Sequence, residues 1–429
     1  MPIPVVDSKA KRNLKMNTLD GAFASVSDNL TNPFLGLFAL SLGASPSQIG
    51  MLNAFPSFLG NILQIPYGVL AERVKNRKIP IAIGALINRI TWVLIVFIPF
   101  LVAPEYAVPA VIILATFRVA AANLGVPAWT AIQAEIVPKS VRGRYYANRN
   151  IITASTGLLA MIAASRILAL SYPGNYQVLF SLACVMGIFS LISFLQIRVE
   201  PLAGRTAASA GKKKRSLSPK ATINLIKNNR AFSYYCFAAF IWGMGVNLVS
   251  PLVSVYFIQD LQGTAQYWAY VQAASTIATI LCQRYWGQLS DVFGQKNIMV
   301  KAGIGAALVP FWWFIAPTAL SGILINFWNG FVWGGFNLAS FNLLLEITPD
   351  ESRSMYVGVY NSLMGIAAAV GTLAGGFLAE AIGIKFLFLL SFAGRGLGLW
   401  LISRVDAGSD TTMRFRDLGY PLNRGRAQL

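Results

Sequence analysis

Gln64-Ile-Pro-Tyr-Gly68-Val-Leu-Ala-Glu72 and Gln283-Arg-Tyr-Trp-Gly287-Gln-Leu-Ser-Asp291 are two versions of one segment, 219 residues apart. Each keeps a Gln, then a Gly, then a carboxylate, spaced four residues apart. A second pair runs Glu135-Ile-Val-Pro138, Arg142, Tyr145 and Asn150. It returns as Glu346-Ile-Thr-Pro349, Arg353, Tyr356 and Asn361 at an offset of 211. Two near-equal offsets in one chain mark an internal duplication, which has to be recognised before any function is assigned.

The rest of the 429 residues says what was duplicated. The chain is 55% hydrophobic and 12% charged, with mean hydropathy +0.58. A soluble domain carries roughly 25% charged residues, so this composition points away from a soluble enzyme and from disorder. Apolar runs near the roughly 20 residues that cross a bilayer occur at about 19–42, 47–70, 79–101, 107–132, 148–170, 177–197, 231–258, 265–287, 297–316, 319–345, 355–379 and 384–404. The first repeat joins spans 2 and 3 to spans 8 and 9. The second joins spans 4 and 5 to spans 10 and 11. The expected fold class is therefore an all-α polytopic membrane protein, with twelve transmembrane helices in two pseudo-symmetric six-helix bundles. The domains follow: 1–197 as the first bundle with its tail, 198–230 as a basic linker, 231–404 as the second bundle, and 405–429 as a tail.

A net charge of +19 raises nucleic-acid binding, but the map disposes of the excess. Only Arg166 and Lys385 fall near one face, and Arg89, Arg118 and Arg395 lie inside spans; the other basic residues gather on the opposite side. The positive-inside rule then puts both termini and the linker in the cytoplasm. Lys212, Lys213, Lys214 and Arg215 make the linker a solvated hinge that can also touch anionic lipid. Residues 1–16 are polar and basic, and Asp20 and Asp28 interrupt the first span, so it reads as a mature helix and not a signal peptide.

Several chemistries have no residues to run on. There is no His, so histidine triads, metal ligands and pH switches are excluded. Cys184, Cys236 and Cys282 sit in apolar runs, which suits small hydrophobes better than a disulfide or zinc framework. No G-x-x-x-x-G-K-S/T stretch is present, so Walker-type ATP binding is not expected. No cofactor is expected and no enzyme activity.

Gly68-Val-Leu-Ala-Glu72-Arg73-Val-Lys75-Asn-Arg77-Lys78 resembles the loop 2–3 signature of the major facilitator superfamily, G-x-L-a-D-R-x-G-R-R/K. Gly287-Gln-Leu-Ser-Asp291-Val-Phe-Gly294-Gln-Lys296 resembles its weaker second-half copy. Glu72 and Lys75 stand where the family has Asp and Gly. The resemblance implies a secondary transporter whose signature residues gate the cytoplasmic side. The gate candidates are Gly68, Glu72, Arg73, Arg77 and Glu135, with Gly287, Asp291 and Glu346 as their second-half counterparts. It also implies that spans 1 and 4 line the first bundle's cavity, and that spans 3, 6, 9 and 12 support from the periphery. Antiporter (G-P-x-x-G-G) and sugar-porter (P-E-S-P-R) signatures are missing.

Ionisable residues deep in a span are costly and by default functional. Asp28 lies about 13 Å of helix rise beyond Leu19, near the midplane, and Arg118 is similarly central in span 4. The two are expected to meet and to serve in proton coupling or substrate binding, with a static ion pair as the alternative. Asp20 is a secondary candidate. Arg89 and Arg395 receive no role, although a positive interior would favour anionic solutes if they reached it. Neutral polar residues at helical spacing complete a cavity: Ser25 and Asn32 in span 1; Trp242 and Asn247 in span 7; Gln272 in span 8; Asn326, Asn329, Trp333 and Asn337 in span 10; Asn361 in span 11. Amides and aromatic rings together suit a polar organic solute.

The leading expectation is alternating-access transport of a small solute driven by protons, with binding near the midplane. The chain would work as a monomer in contact with membrane lipid, without nucleic acid, in a bacterial plasma (inner) membrane or one derived from it. Three other readings stay open. One is an uncoupled facilitator or organic-anion exchanger using Arg118. Another is an iron transporter, should Asp20 and Asp28 share a metal ion. The last is a transporter-like receptor or assembly protein that carries nothing.

Overall fold

The computed structural model describes residues 8–74, 76–137, 142–199, 229–349 and 353–406. Most of the 198–230 linker lies outside them, including Lys212 to Arg215, as do residues 1–7 and 407–429. Gly68, Glu72, Arg73 and Asp291 fall in described helices, but their side-chain surroundings are outside the described set. The described residues form two compact units, one on each side of 200–228.

The first unit contains α1 (Ser8–Asn29), α2 (Leu35–Ser41), α3 (Pro46–Arg73), α4 (Lys78–Leu101), α5 (Pro104–Asn123), α6 (Val126–Ile136), α7 (Arg142–Ile167) and α8 (Gly174–Leu195). The second contains α9 (Arg230–Val249), α10 (Val253–Gln259), α11 (Ala265–Phe293), α12 (Gln295–Phe314), α13 (Ser321–Glu346), α14 (Arg353–Ile382) and α15 (Ile384–Ser403). With α1–α2, α5–α6 and α9–α10 each counted as one interrupted crossing, each unit has six spans. Eight segments among the described residues are long and apolar enough to cross a bilayer by composition alone. The spans built on α1, α3, α11 and α13 fall outside those eight.

The duplication extends to the interruptions, which the sequence reading did not register. Span 1 breaks at a 3-10 turn, Asn32–Phe34, and span 7 at Ser250–Leu252. Each turn holds a proline, Pro33 or Pro251, near its start. Proline has no N–H to give and crowds the preceding turn, so the α-helix ends there and restarts as a short helix. Both restarts, α2 and α10, are seven residues long.

Packing repeats as well. In the first unit α1 lies against α7 and α8, α3 against α5, and α4 against α5 and α8. In the second, α9 lies against α14 and α15, α11 against α13, and α12 against α13 and α15. Aromatic cores sit at the restarted ends. Trp92 meets Phe180 at 5.0 Å in one unit, and Tyr256 meets Phe388 at 5.0 Å in the other.

In the absence of a hydrophobic drive between helices in lipid, small residues let backbones meet and gain dispersion and dipole contacts. Gly330 on α13 faces the Ser275 carbonyl of α11, and Gly375 on α14 faces the Leu248 carbonyl of α9; a Cβ at either would overlap backbone. Gly330→Leu is expected to lower the melting temperature and broaden the size-exclusion profile in detergent, since overpacking costs about 1–3 kcal/mol. Gly287→Ala, with open space around the new Cβ, should leave both unchanged.

Candidate functional site

The break in span 1 gathers the charged residues of the first unit. Asp28 sits one turn before it, exposed on its unit, and its carboxylate is 3.6 Å from Arg89 Nη1. Arg89 also donates to Ser27 Oγ at 3.1 Å and Asn88 Oδ1 at 3.3 Å. Ser27 in turn donates to the Ala183 carbonyl at 2.7 Å, which fixes the hydroxyl to receive from the guanidinium. Gly187 on α8 leaves room for the Arg89 side chain; a Cβ there would occupy its Cδ and Nε. Asp28 and Arg89 line a pocket of about 250 Å³ with Asn88 and Trp129.

Arg118 does something different from what its position suggests. Its guanidinium lies 4.2 Å over the buried Trp92 ring, and Nη2 donates to Asn32 Oδ1 at 3.4 Å. Asp28 is within its electrostatic reach, but the ion pair of Asp28 goes to Arg89. The expected Asp28–Arg118 contact is thus replaced: Arg89 on the supposedly peripheral span 3 turns inward and takes the carboxylate. Arg118 instead faces a separate pocket of about 240 Å³ with Asn32, Asn53 and Ser57. Arg89 Nε, Trp92 Nε1 and Arg118 Nε are buried without a hydrogen-bond partner.

Asp20 turns elsewhere, into the α1–α8 contact, where it accepts from Ser190 Oγ at 2.6 Å. Asp20 and Asp28 therefore do not share an oxygen-ligand site. Among the described residues no group of three acids or thiols could hold a metal.

The second unit holds a pocket of about 340 Å³ beside its own break. Asn326, Asn329 and Trp333 from α13, Gln272 from α11 and Arg395 from α15 line it, all expected or flagged from sequence except for Arg395's purpose. Trp242 is elsewhere, stacked on Phe336 at 4.6 Å. Asn247 donates to the Gly243 carbonyl of its own helix at 2.8 Å, and Ser25 donates across to the Thr153 carbonyl of α7 at 2.6 Å, so only Ser25 ties two helices together. Asn337 and Asn361 are exposed on their unit.

At the α1-start end, Arg77 pairs with Glu135 at 3.1 Å, joining the α3–α4 loop to α6. Glu346 is exposed where α13 ends. The same end of the first unit holds a network missed in the sequence. Asn17 and Gln133 exchange amide hydrogen bonds at 2.8 and 2.6 Å, Asn17 donates to Tyr145 Oη at 2.7 Å, and Arg149 Nε donates to the Asn17 carbonyl at 3.3 Å. Tyr145 belonged to the repeat; its tie to α1 had no local signal.

Comparison with known proteins now bears on these two units. The family model described as Major Facilitator Superfamily matches residues 21–264 and 235–412. The chain belongs to the major facilitator superfamily. Within it, a PmrA-homologue multi-drug resistance efflux pump of Lactococcus lactis is 23% identical over 87% of this chain and 90% of its own. The PmrA pump of Streptococcus pneumoniae is 28% identical, but over 36% of this chain and 39% of the pump. The staphyloferrin B transporter of Staphylococcus aureus is 28% identical over 34% of this chain and 35% of its own. The match spans well under half the length of the pneumococcal and staphylococcal relatives. Among solved structures, a variant of the nucleoside transporter NupG has a TM-score of 0.76 at 12% identity, covering 92% of this chain and all of that one. The D-xylose-proton symporter has 0.68 at 14%, covering 92% and 97%. The fold is that of a major facilitator transporter, an integral membrane protein with twelve spans.

In this superfamily member, the Arg89–Gly187 fit gives a direct test of the site's geometry. Gly187→Ala is expected to cost about 1–3 kcal/mol in the native background and to displace Arg89 from Asp28. In an Arg89→Ala background the same methyl should cost under half as much, because the space it needs is vacant. A double-mutant cycle on thermal unfolding measures the difference.

Proposed function

We propose that this chain is a secondary active transporter that carries a small organic solute by alternating access and couples its movement to protons through Asp28. The observation that supports it most is the Asp28–Arg89 pair at 3.6 Å on the edge of a pocket. A carboxylate beside a guanidinium favours its charged form, and one removed from it in a dry site favours its protonated form. A transporter that alternately makes and breaks the Asp28–Arg89 contact therefore takes up a proton in one state and releases it in the other. Relatives named as multidrug efflux pumps and a staphyloferrin B transporter support an organic solute in preference to a bare metal ion.

The cytoplasmic gate belongs to the same reading. The Arg77–Glu135 pair has side-chain exposures of 14% and 28%, and pairs near water contribute about 0–1 kcal/mol. Such a contact opens readily. Both termini are assigned to the cytoplasm of a bacterial plasma membrane by the distribution of Lys and Arg, and the transporter is taken to work as a monomer.

A second reading is favoured by Arg118, which faces its own pocket with its charge balanced by an aromatic face and an amide. An organic anion held there would be moved by exchange or facilitated diffusion, without protons.

Reconstitution into vesicles with an internal pH dye separates these. With a panel of ethidium, nucleosides and organic acids, the native protein should show solute-driven pH change. Asp28→Asn should reduce that change at least tenfold while keeping solute counterflow. Counterflow without proton movement at any pH selects the facilitator or exchanger, and no flux of any solute selects the receptor. Arg77→Gln should change the flux several-fold while shifting thermal stability by less than about 1 kcal/mol.

A further inference from the structure

Arg395 is the most deeply committed charge in the second unit. It is 5% exposed, and its one hydrogen bond that the structure gives is from Nη1 to the Ala306 carbonyl at 2.9 Å. Its Nε has no partner. Among the described residues no carboxylate pairs with it, in contrast to Arg89, which has Asp28. A guanidinium taken out of water without a counter-charge is expensive to hold, and its five donors in a planar fork are shaped for a carboxylate or phosphate.

The surroundings supply the rest of a binding site. Arg395 lines the 340 Å³ pocket, a size within the range of small-molecule sites. Trp268, Trp313 and Trp333 wall it, and Phe388 lies near. Asn326, 7% exposed, leaves Nδ2 without a partner on the same pocket. Two buried, unsatisfied donor groups on one aromatic-walled cavity ask for an acceptor that the protein does not provide. The pocket also reaches the Ser250–Leu252 break, with Ser250 in its lining.

We propose that this pocket is an organic-anion subsite: Arg395 holds a carboxylate, Asn326 donates to the same or an adjacent oxygen, and the tryptophans cover the apolar body. The proposal rests on the transporter reading for its purpose and sharpens it by naming the solute class, an amphipathic carboxylate. It differs from the Arg118 alternative, which lies in the other unit and on another pocket.

The test is equilibrium binding to the full-length protein in detergent, read by quenching of tryptophan fluorescence. The probes are benzoate, salicylate and indole-3-acetate, each paired with its neutral primary amide. The carboxylates should bind at least tenfold more tightly than the amides, and Arg395→Gln should remove that preference. Arg395→Lys, which keeps the charge but not the fork, should retain part of it, and this variant shows that a loss in Arg395→Gln is not misfolding. Arg404→Gln is the control: that guanidinium stacks on Trp400, at 3.9 Å and away from the pocket, and its loss should change nothing. Equal binding of acid and amide, carboxylate preference that survives Arg395→Gln, or no binding by any of the three acids overturns the subsite. Vesicle flux keeps the two claims apart. Carboxylate binding that depends on Arg395 without flux removes the transporter reading and leaves the subsite. Carboxylate flux, with carboxylate binding, indifferent to Arg395→Gln does the reverse.

Discussion

A guanidinium inside a bilayer-spanning bundle must be given hydrogen bonds and, where the protein can arrange it, an opposite charge. Arg89, Arg118 and Arg395 are under that constraint, and each meets it differently. Arg89 has a carboxylate, a hydroxyl and an amide. Arg118 has an aromatic face and one amide oxygen. Arg395 has a single backbone carbonyl. The local shape of the first unit follows: a side chain at Gly187 would take the space that Arg89 fills, and Trp92 is buried at zero exposure where Arg118 lies on it.

The duplication built one scaffold and loaded it twice with different charge. Both units interrupt their first span at a proline-bearing 3-10 turn and pair their helices in the same pattern. The first unit places one carboxylate among two guanidiniums near its break. The second places one guanidinium near its own and leaves it without an acid among the described residues. The two proposals above divide along this asymmetry: proton exchange is assigned where acid and base meet, and anion binding where base stands alone.

The fold was legible because its signals are global. Span length, the two repeat offsets and the side on which Lys and Arg accumulate each average over many residues, so no single misreading moves the result. The site was legible only in part. Asn326, Asn329 and Gln272 announce themselves as amides in apolar runs, and they do line a pocket. Ser25 and Asn247 look the same in sequence yet spend their polar groups on backbone carbonyls. A periodicity can say which face a residue is on; it cannot say whether a carbonyl of its own helix or of a neighbour has already claimed it. Arg89 stands out in the letters as a charge inside a span but carries no sign of its partner, because its span reads as peripheral; its side chain reaches Asp28 through the room that Gly187 leaves. The prolines at 33 and 251 were visible in the letters, and an alignment of the halves at the first repeat's offset would have brought them within one residue of each other.

The Arg77–Glu135 pair shows why magnitude bears on mechanism. At 3.1 Å its geometry is good, but its partial exposure keeps its contribution near that of other surface pairs, about 0–1 kcal/mol. As a staple it would be poor. As a latch it has the right scale, because a state that must open on every cycle cannot be held by several kcal/mol without losing population of the alternative. The buried Asn17–Gln133–Tyr145 network at the same end is of another kind: its groups are desolvated and mutually satisfied, so breaking it leaves unpaired donors inside the protein. Under the alternating access proposed above, α1, α6 and α7 would stay together through the cycle, and the movement at this end would fall on the partly exposed Arg77 and Glu135.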